Sequence, residues 1–187
     1  MIGKDPRERL PGLRILRDVF LAMDGDFVQT FRYVEPVREN LNTYSVEFMR
    51  LLQTACTGID STFRLWYRYI AAEESKFTLP RASADDLKFA DYLPLLDVLQ
   101  IDATRDLLLE RNPKIAVAPF REWKSRAAIP QWWTAHNKTK HELNDVTFKG
   151  ATLAHALDAL GGFYLALSDG DTKASYPVWT DVFKRAW

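Results

Sequence analysis

Apolar residues recur in steps of three and four from Phe31 to Ile70, with charged residues between them. This period puts the apolar side chains on one face of an α-helix. It predicts a long amphipathic helix over residues 29–72, or two nearly collinear helices. Pro36 fits only in a first turn, and Gly58 marks a candidate break because glycine costs about 1 kcal/mol relative to alanine inside a helix. A helix of this length needs a partner for its apolar face, so the chain is predicted to be mainly α.

A second strongly helical pattern covers residues 147–168. Its apolar stripe consists of Leu153, Ala156, Leu157, Leu160, Tyr164 and Leu167. Small residues such as Ala159, Gly161 and Gly162 allow this helix to approach a neighbour closely. Because neither apolar face can be buried alone, we expect it to pack against the long helix. The sequence Asp169-Gly170-Asp171 is expected to end it.

Shorter segments flank these two helices. Apolar spacing from Leu13 to Met23 predicts a short N-terminal helix, closed by Asp24-Gly25-Asp26, within an appendage of residues 1–28. The tail of residues 169–187 carries three aromatic residues at a spacing of four, which predicts a last short helix. These residues are Trp179, Phe183 and Trp187.

Residues 78–130 are interrupted by prolines and show no long period. The prolines are Pro80, Pro94, Pro113, Pro119 and Pro130. We expect an irregular excursion packed across the helices, with room for short strands and for a short helix capped by Ser83. Phe120 and Trp123 supply large apolar surface that is expected to hold this excursion in place.

Composition restricts the setting and the partners. The 187 residues are expected to form one domain. Since 25 basic residues balance 25 acidic ones, no overall positive field attracts nucleic acid or an anionic membrane, and any RNA binding needs a local patch. The one cysteine, Cys56, excludes an internal disulfide and is expected to be buried. Without a signal-peptide core or a run of about 20 apolar residues, a cytoplasmic protein without membrane contact is predicted.

The segment Trp132–Glu142 concentrates indoles, imidazoles, an amide and ammonium groups between Pro130 and the second apolar helix. It contains two of the three histidines, His136 and His141. Charged and amide groups at this density are poor core material, because their burial is costly unless each is paired. The segment therefore predicts a functional site.

Helical spacing groups the members of this site. If residues 131–144 form a helix, positions four apart lie on one face, which joins Asn137 to His141 and His136 to Lys140. The candidate catalytic residues are His141, His136, Asn137 and Lys140, and the candidate ligand-binding residues are Lys138 and Trp133. These groups suit a metal-independent phosphodiester cleavage site, and they equally suit a hydrogen-bonded structural cluster. The residues alone leave both interpretations open, and neither needs a cofactor.

A metal hydrolase is a weaker alternative. Its ligands would be His136, His141, Glu142 and His155. Histidines five apart point about 140° apart on an ideal helix, whereas zinc ligands four apart share one face. We therefore predict no metal site. The sequence also has no glycine-rich phosphate loop and no serine nucleophile elbow, which argues against common ATP-dependent and acyl-transfer chemistry.

Basic and aromatic residues alternate near the end of the long helix. They are Arg64, Trp66, Tyr67, Arg68, Tyr69 and Lys76. Such a mixture can stack on and hold single-stranded nucleic acid. The solvated side of an amphipathic helix explains it equally well.

Several short motifs resemble those of bacterial HEPN-like helical proteins. In the first half they are Tyr33-Val34-Glu35-Pro36, Asn40, Asn42-Thr43-Tyr44-Ser45, Leu51-Leu52 and Ala55-Cys56. In the second half they are Trp132-Trp133-x-x-His136-Asn137-Lys138-x-Lys140-His141 and Phe148-x-x-Ala151-Thr152-Leu153. The resemblance covers residues 31–167, and its most specific part runs from Asn137 to His141 and into the helix start that follows.

The resemblance implies a single HEPN-like domain over residues 1–187, folded as an antiparallel helical bundle that forms a homodimer. Nuclease members of this family cut RNA with an arginine, a following polar residue and a histidine five positions after the arginine, in a cleft shared by two protomers. By this resemblance His141 occupies the histidine position and Asn137 the polar position. His136 stands where the nucleases have arginine, and an imidazole cannot grip a phosphate with a planar bidentate fork.

This departure favours a non-catalytic or weakly active module. The resemblance implies an accessory component of a bacterial stress or phage-defence system, which binds RNA, a nucleotide or a protein partner. The alternative is a metal-independent endoribonuclease at a dimeric cleft. In that mechanism His141 would move a proton at the ribose 2′-hydroxyl or the leaving group, while His136 and Lys140 stabilise the charged phosphate.

Overall fold

The computed structural model describes residues 10–73, 81, 83–168 and 180–184. This part of the chain is mainly α-helical, as predicted. Its helices are α1 (Pro11–Thr30), α2 (Val46–Glu73), α3 (Leu93–Val98), α4 (Gln131–His141), α5 (Asp145–Phe148) and α6 (Leu153–Ser168). Strands β1 (Leu107–Leu108) and β2 (Ala116–Val117) pair antiparallel, with Leu107 opposite Val117. None of the described helices is long and apolar enough to cross a membrane.

Helix α2 is the centre of the core and packs against α1, α4 and α6. Its buried apolar stripe consists of Phe48, Leu51, Leu52, Ala55, Ile59, Phe63, Trp66 and Ile70. The predicted contact between the long helix and the second apolar helix is confirmed, because the largest interface joins α2 and α6. Full burial of each large apolar side chain stabilises the fold by roughly 1.5–3 kcal/mol, so this stripe is a main source of stability.

The long helix begins at Val46, and the predicted helical structure of residues 31–45 is wrong. Pro36 lacks a backbone N–H and restricts the residue before it, which interrupts a helix at this point. A single 3₁₀ turn, Arg38–Asn40, follows instead. Ser45 then caps α2, because its hydroxyl accepts a hydrogen bond from a first-turn backbone N–H at 3.0 Å.

Gly58, the candidate break, lies inside α2 without interrupting it, so the alternative of two collinear helices is wrong at this position. It lies against α6, where a Cβ atom in its place would be 2.4 Å from Cζ of Phe163. No side chain fits at that distance unless the ring moves. Gly162 on α6 is also close to α2, since a Cβ atom there would lie 3.2 Å from Cδ1 of Ile59. Glycine at these positions therefore permits the close approach of two helices.

Helix α1 extends to Thr30, so the prediction that Asp24-Gly25-Asp26 ends it is wrong. The buried Asp24 carboxylate does not compete for the helix backbone. It accepts hydrogen bonds from Thr180 Oγ1 at 2.5 Å and from the backbone N–H of Asp181 at 2.6 Å. Helix α1 is also part of the core rather than an appendage, since Phe20 on it is completely buried.

The helix predicted over residues 147–168 is divided into α5 and α6. The chain leaves the helical path before Leu153, where Thr152 forms a β-bridge with Tyr44. The backbone N–H of Leu153 donates to the carbonyl oxygen of Thr43 at 2.8 Å. This bond satisfies one of the donors that a helix start leaves open. Pairing with a distant loop therefore decides where α6 begins.

The described part of the excursion, residue 81 and residues 83–130, is irregular and contains short strands, as predicted. Its regular pieces are the 3₁₀ turns Ala84–Asp86 and Phe89–Tyr92, helix α3 and strands β1 and β2. Ser83 caps the first of these turns, as expected. Phe120 and Trp123 are buried in the core, which confirms that they hold this segment against the helices.

Residues 180–184 do not form the predicted last helix. Phe183 forms a β-bridge with Leu109, and the backbone N–H of Lys184 donates to Leu108 O at 2.7 Å. The segment follows the edge of β1, because the unpaired backbone groups of an edge strand favour a further extended chain. Lys76, Asp169-Gly170-Asp171, Trp179 and Trp187 lie outside the described residues.

Candidate functional site

Helix α4 carries the polar segment and begins directly after Pro130. The Pro130 carbonyl accepts a hydrogen bond from the backbone N–H of Trp133 at 3.1 Å, which closes the first turn. The helix ends at His141, before the predicted end at residue 144. The chain turns there because Asn144 caps α5 and accepts hydrogen bonds from two of its backbone N–H groups.

A cleft of about 580 Å³ lies where α2, α4 and the irregular segment meet. Its walls consist of Cys56, Thr57, Asp60 and Arg64 from α2, Leu87, Lys88, Phe89 and Ala90 from the irregular segment, Ile129, and Trp133, His136, Asn137, Lys140 and His141 from α4. The structure thus brings five of the six predicted site residues into one cavity. Lys138 lies apart from them, exposed on the other side of α4, where it lines a groove with Val146 and His155.

Hydrogen bonds centred on Asp60 form the α2 wall of the cleft. The Asp60 carboxylate accepts from Arg64 Nε at 2.7 Å and from the Tyr92 hydroxyl at 2.7 Å. Arg64 also donates to the carbonyl oxygens of Ala84 at 2.5 Å and Leu87 at 2.8 Å. Burial, together with the Asp60 carboxylate, holds the pKa of Tyr92 well above its usual range. The network holds the irregular segment against α2. It also uses the polar atoms of Asp60 and Arg64 in hydrogen bonds within the protein.

The basic and aromatic residues near the end of α2 have structural contacts. Trp66 and Tyr67 are buried, with 5% and 1% of their surfaces exposed. Trp66 Nε1 donates to the carbonyl oxygen of Ala166 at 3.3 Å, and Arg68 pairs with Asp85. Because the two rings are enclosed, they offer no face on which a nucleic-acid base could stack.

Two lysines give the cleft an excess of positive charge. Lys88 and Lys140 are exposed and belong to two different segments. Within the described residues, neither ammonium group forms an ion pair. Asp60 is the one acidic side chain among the described lining residues, and Arg64 neutralises it. The charges that remain for a ligand are cationic, so an oxyanion such as a phosphate is the complementary group.

Stacked aromatic rings support the α4 side of the cleft. Phe89 lies between Trp133, at a centroid distance of 4.0 Å and 18° between planes, and Trp123, at 4.2 Å and 15°. Trp132 packs edge-on against Phe89 and donates its Nε1–H to the carbonyl oxygen of Pro119 at 2.8 Å. These contacts fix Trp133 and give the cleft a rigid aromatic wall.

His136 is buried in the wall of the cleft, with 5% of its surface exposed. Burial, and then the positive charges of Lys140 and His141, lower the pKa of its imidazole to about 4. The ring is therefore neutral at pH 7 and cannot stabilise a phosphate by charge, as the ribonuclease alternative requires. Its Nδ1 is enclosed and has no hydrogen-bond partner among the described residues. An unpaired buried polar group costs about 1–3 kcal/mol, so this atom requires an explanation.

Asn137 and His141 complete the α4 side. Asn137 is half-buried, and His141 is exposed at the rim. Across the part of the chain that the structure describes, neither side chain makes a hydrogen bond. The Asn137 amide offers both donors and an acceptor, and the His141 imidazole offers one of each when neutral. Both groups are therefore open to a ligand.

Cys56 lies in the cleft wall and is completely buried, as predicted. Burial raises the pKa of its thiol well above the usual range, which disfavours the nucleophilic thiolate. His155 is half-buried on the other side of α4, with Nδ1 2.7 Å from the carbonyl oxygen of Gly150. Among the described residues, no group of three or more His, Cys, Asp or Glu is placed to hold a metal ion.

Sequence analysis did not single out Asp60, Lys88 or Phe89 as site residues. Asp60 and Arg64 are four apart on a helix, a spacing that signals an ion pair but not a cleft. Lys88 and Phe89 lie in an irregular segment whose approach to α4 depends on tertiary contacts. No local pattern therefore marks them.

No family model matches the chain, and comparisons with curated proteins and with solved structures found no similar protein. The HEPN-like assignment therefore stays a prediction from the motifs around His136 and His141. The geometry of the cleft between α2 and α4 does not depend on that resemblance, so it bears on function independently of the family.

Proposed function

We propose that this protein is a non-catalytic, HEPN-like helical module that binds a nucleotide in the cleft between α2 and α4. The observation that carries the proposal is that Lys88 and Lys140 line one cavity from two segments and form no ion pair with any described residue. The cavity, at about 580 Å³, is within the range of roughly 300–1,000 Å³ that small-molecule sites occupy.

The polar groups of the cleft support a phosphate-bearing ligand. Lys88 and Lys140 supply charge, and the Asn137 amide supplies a donor close to Lys140 on the same helix. The negative charge of Asp60 is partly offset, because its two oxygens accept hydrogen bonds from Arg64 and Tyr92. The aromatic wall at Trp133 adds apolar surface for the rest of the ligand.

The neutral state of His136 argues against the ribonuclease mechanism in which His136 and Lys140 together stabilise the phosphate. Cleavage without a metal needs charge that stabilises the phosphate and a group that moves a proton. His136 is neutral at pH 7, and the Arg64 guanidinium is engaged by Asp60 and two carbonyl oxygens. His141 remains as the one exposed imidazole of the motif. We therefore expect the purified protein to leave RNA intact. Cleavage by the wild-type protein that is lost in His141→Ala would overturn this expectation.

Titration calorimetry with AMP and adenosine tests the proposal. We expect AMP to bind more tightly than adenosine, and Lys140→Ala or Lys88→Ala to weaken AMP binding by about 3–10-fold, because each removes one charge-assisted contact. Lys138→Ala is the matched control, since Lys138 lies on the same helix but outside the cleft. Equal affinities for AMP and adenosine, or equal losses in the Lys138 and Lys140 variants, would refute nucleotide binding through the phosphate.

A homodimer and an accessory role in bacterial stress or phage defence are proposed from the resemblance alone. The chain mass is 21.6 kDa, so light scattering distinguishes a dimer directly. A solution mass equal to one chain would refute the dimer. It would leave the nucleotide proposal intact, because every residue in that argument belongs to one chain.

A further inference from the structure

We infer that His136 recognises the uncharged heteroaromatic ring of the bound nucleotide by donating a hydrogen bond from Nε2. The inference deepens the proposed function and rests on it. It starts from a side chain that is 5% exposed and lines the cleft. Within the described residues, its Nδ1 has no hydrogen-bond partner.

The burial of Nδ1 decides which nitrogen faces a ligand. A neutral imidazole has one donor nitrogen and one acceptor nitrogen. Nδ1 of His136 is enclosed by protein, so Nε2 is the nitrogen that a ligand in the cleft can reach. A proton on Nδ1 would create a buried N–H with no acceptor among the described residues, and such orphaned donors are rare in proteins. The arrangement therefore favours a proton on Nε2 and presents a donor to the cleft.

The surroundings of this donor suit an uncharged ring better than a phosphate. The Trp133 ring lies 5.2 Å from the His136 ring, and Phe89 is stacked behind Trp133. Burial of a phosphate against such apolar groups is costly. The exposed Lys88 and Lys140 offer the phosphate a solvated cationic place instead. A nucleobase has flat apolar faces and ring-nitrogen or carbonyl acceptors, so it fits the side of the cleft that His136 and Trp133 form.

Titration of AMP and ribose 5-phosphate separates recognition of the ring from recognition of the phosphate. Wild-type protein should bind AMP about tenfold more tightly than ribose 5-phosphate, since the sugar phosphate lacks the base. His136→Phe keeps a flat ring but removes the donor. It should reduce the preference for AMP by about 3–10-fold and leave the affinity for ribose 5-phosphate unchanged. His136→Gln, which keeps a donor, should retain part of the preference.

A spectroscopic measurement distinguishes contact from a structural role. The Nε2–H resonance of His136 should shift when AMP is added and should stay in place when ribose 5-phosphate is added. Equal binding of the two ligands by wild-type protein, or equal losses for both in His136→Phe, would overturn the inference. If Lys140→Ala still weakens the binding of both ligands, the proposed function is retained despite that result. If Lys140→Ala binds both ligands as tightly as the wild type does, the proposed function fails together with the inference.

Discussion

Two neighbouring faces of helix α2 have opposite properties. On the face toward α6, the chain is so close that a Cβ atom at Gly58 would be 2.4 Å from the Phe163 ring. On the face toward α4, Thr57 and Asp60 line a cleft of about 580 Å³. One helix therefore supplies both a close helix–helix contact and a wall of the polar cleft. The comparison implies that stability and ligand binding can be changed separately.

The strongest test of this separation is Phe163→Ala. Phe163 is completely buried between helices, and removal of such a ring costs about 3–5 kcal/mol. We expect urea denaturation to show this loss in the free energy of unfolding, while the protein that remains folded binds AMP as before. A loss below about 1 kcal/mol would mean that the α2–α6 contact is not tightly packed. Weaker AMP binding at full folding would show that the two faces are coupled.

The next largest effect is the pH dependence of stability caused by His136, which lies in the α4 wall of the cleft. His136 has a folded-state pKa of about 4, against 6.5 for an unperturbed histidine. Between these values the unfolded chain binds a proton that the folded chain does not, so a fall in pH favours unfolding. Wild-type protein should lose up to about 3 kcal/mol relative to His136→Phe as the pH falls from 7 to 4. The measurement is the difference in unfolding free energy between the two proteins at each pH.

The control for this experiment is the comparison at pH 7, where the wild-type imidazole is neutral. There His136→Phe should be as stable as wild type or slightly more so, because it removes a buried nitrogen that has no hydrogen-bond partner among the described residues. A constant difference from pH 7 to pH 4 would show that His136 titrates normally and that its wall of the cleft admits water.

A smaller effect tests only the face of α2 that packs against α6. Gly58→Ala should destabilise by about 1–2 kcal/mol, because overpacking outweighs the higher helix propensity of alanine. In a Phe163→Ala background the ring is absent, and the same change should stabilise by up to about 1 kcal/mol. Thr57→Ala on the adjacent exposed position is the control. Additive effects of Gly58→Ala and Phe163→Ala in a double-mutant cycle would contradict the close approach of α2 and α6.

The smallest effect concerns charge in the cleft. Asp60→Asn removes the counter-charge of Arg64. We expect AMP affinity to rise by about 2–5-fold at low salt, because the cleft becomes more positive. The increase should diminish as salt is added, since screening weakens partly solvated charges. A fall in AMP affinity would show that Asp60 orients Arg64 for the ligand rather than only neutralising it.

The regular spacing of apolar residues predicted those parts of the fold that are determined by burial of one helix face. It located the stripe from Phe48 to Ile70 and its contact with α6, because these positions repeat along one helix face. The same spacing misled at residues 31–45, where Pro36 and the bridge between Tyr44 and Thr152 override it. A bridge between segments so distant in sequence leaves no local signal, and the division of α5 from α6 was missed for the same reason.

The α4 residues that line the cleft were singled out by composition more than by spacing. The density of polar groups in α4 singled out five residues that line the cleft, but the period of a helix does not say which face meets another element. Lys138 was therefore grouped with residues that lie on the other side of α4. Lys88 and Phe89 enter the cleft through the path of an irregular segment, which depends on the hydrogen bonds of Arg64 to that segment.

The hydrogen bond between Asp24 and the backbone N–H of Asp181 joins positions 157 residues apart. Closure of a loop costs entropy that grows with its length. The hydrogen bond therefore adds little net stability until the intervening helices have packed together. It should form late in folding, after α2 and α6 have packed. We expect hydrogen exchange at the Asp181 amide to slow only in the fully folded protein, once α1 and residues 180–184 are in contact.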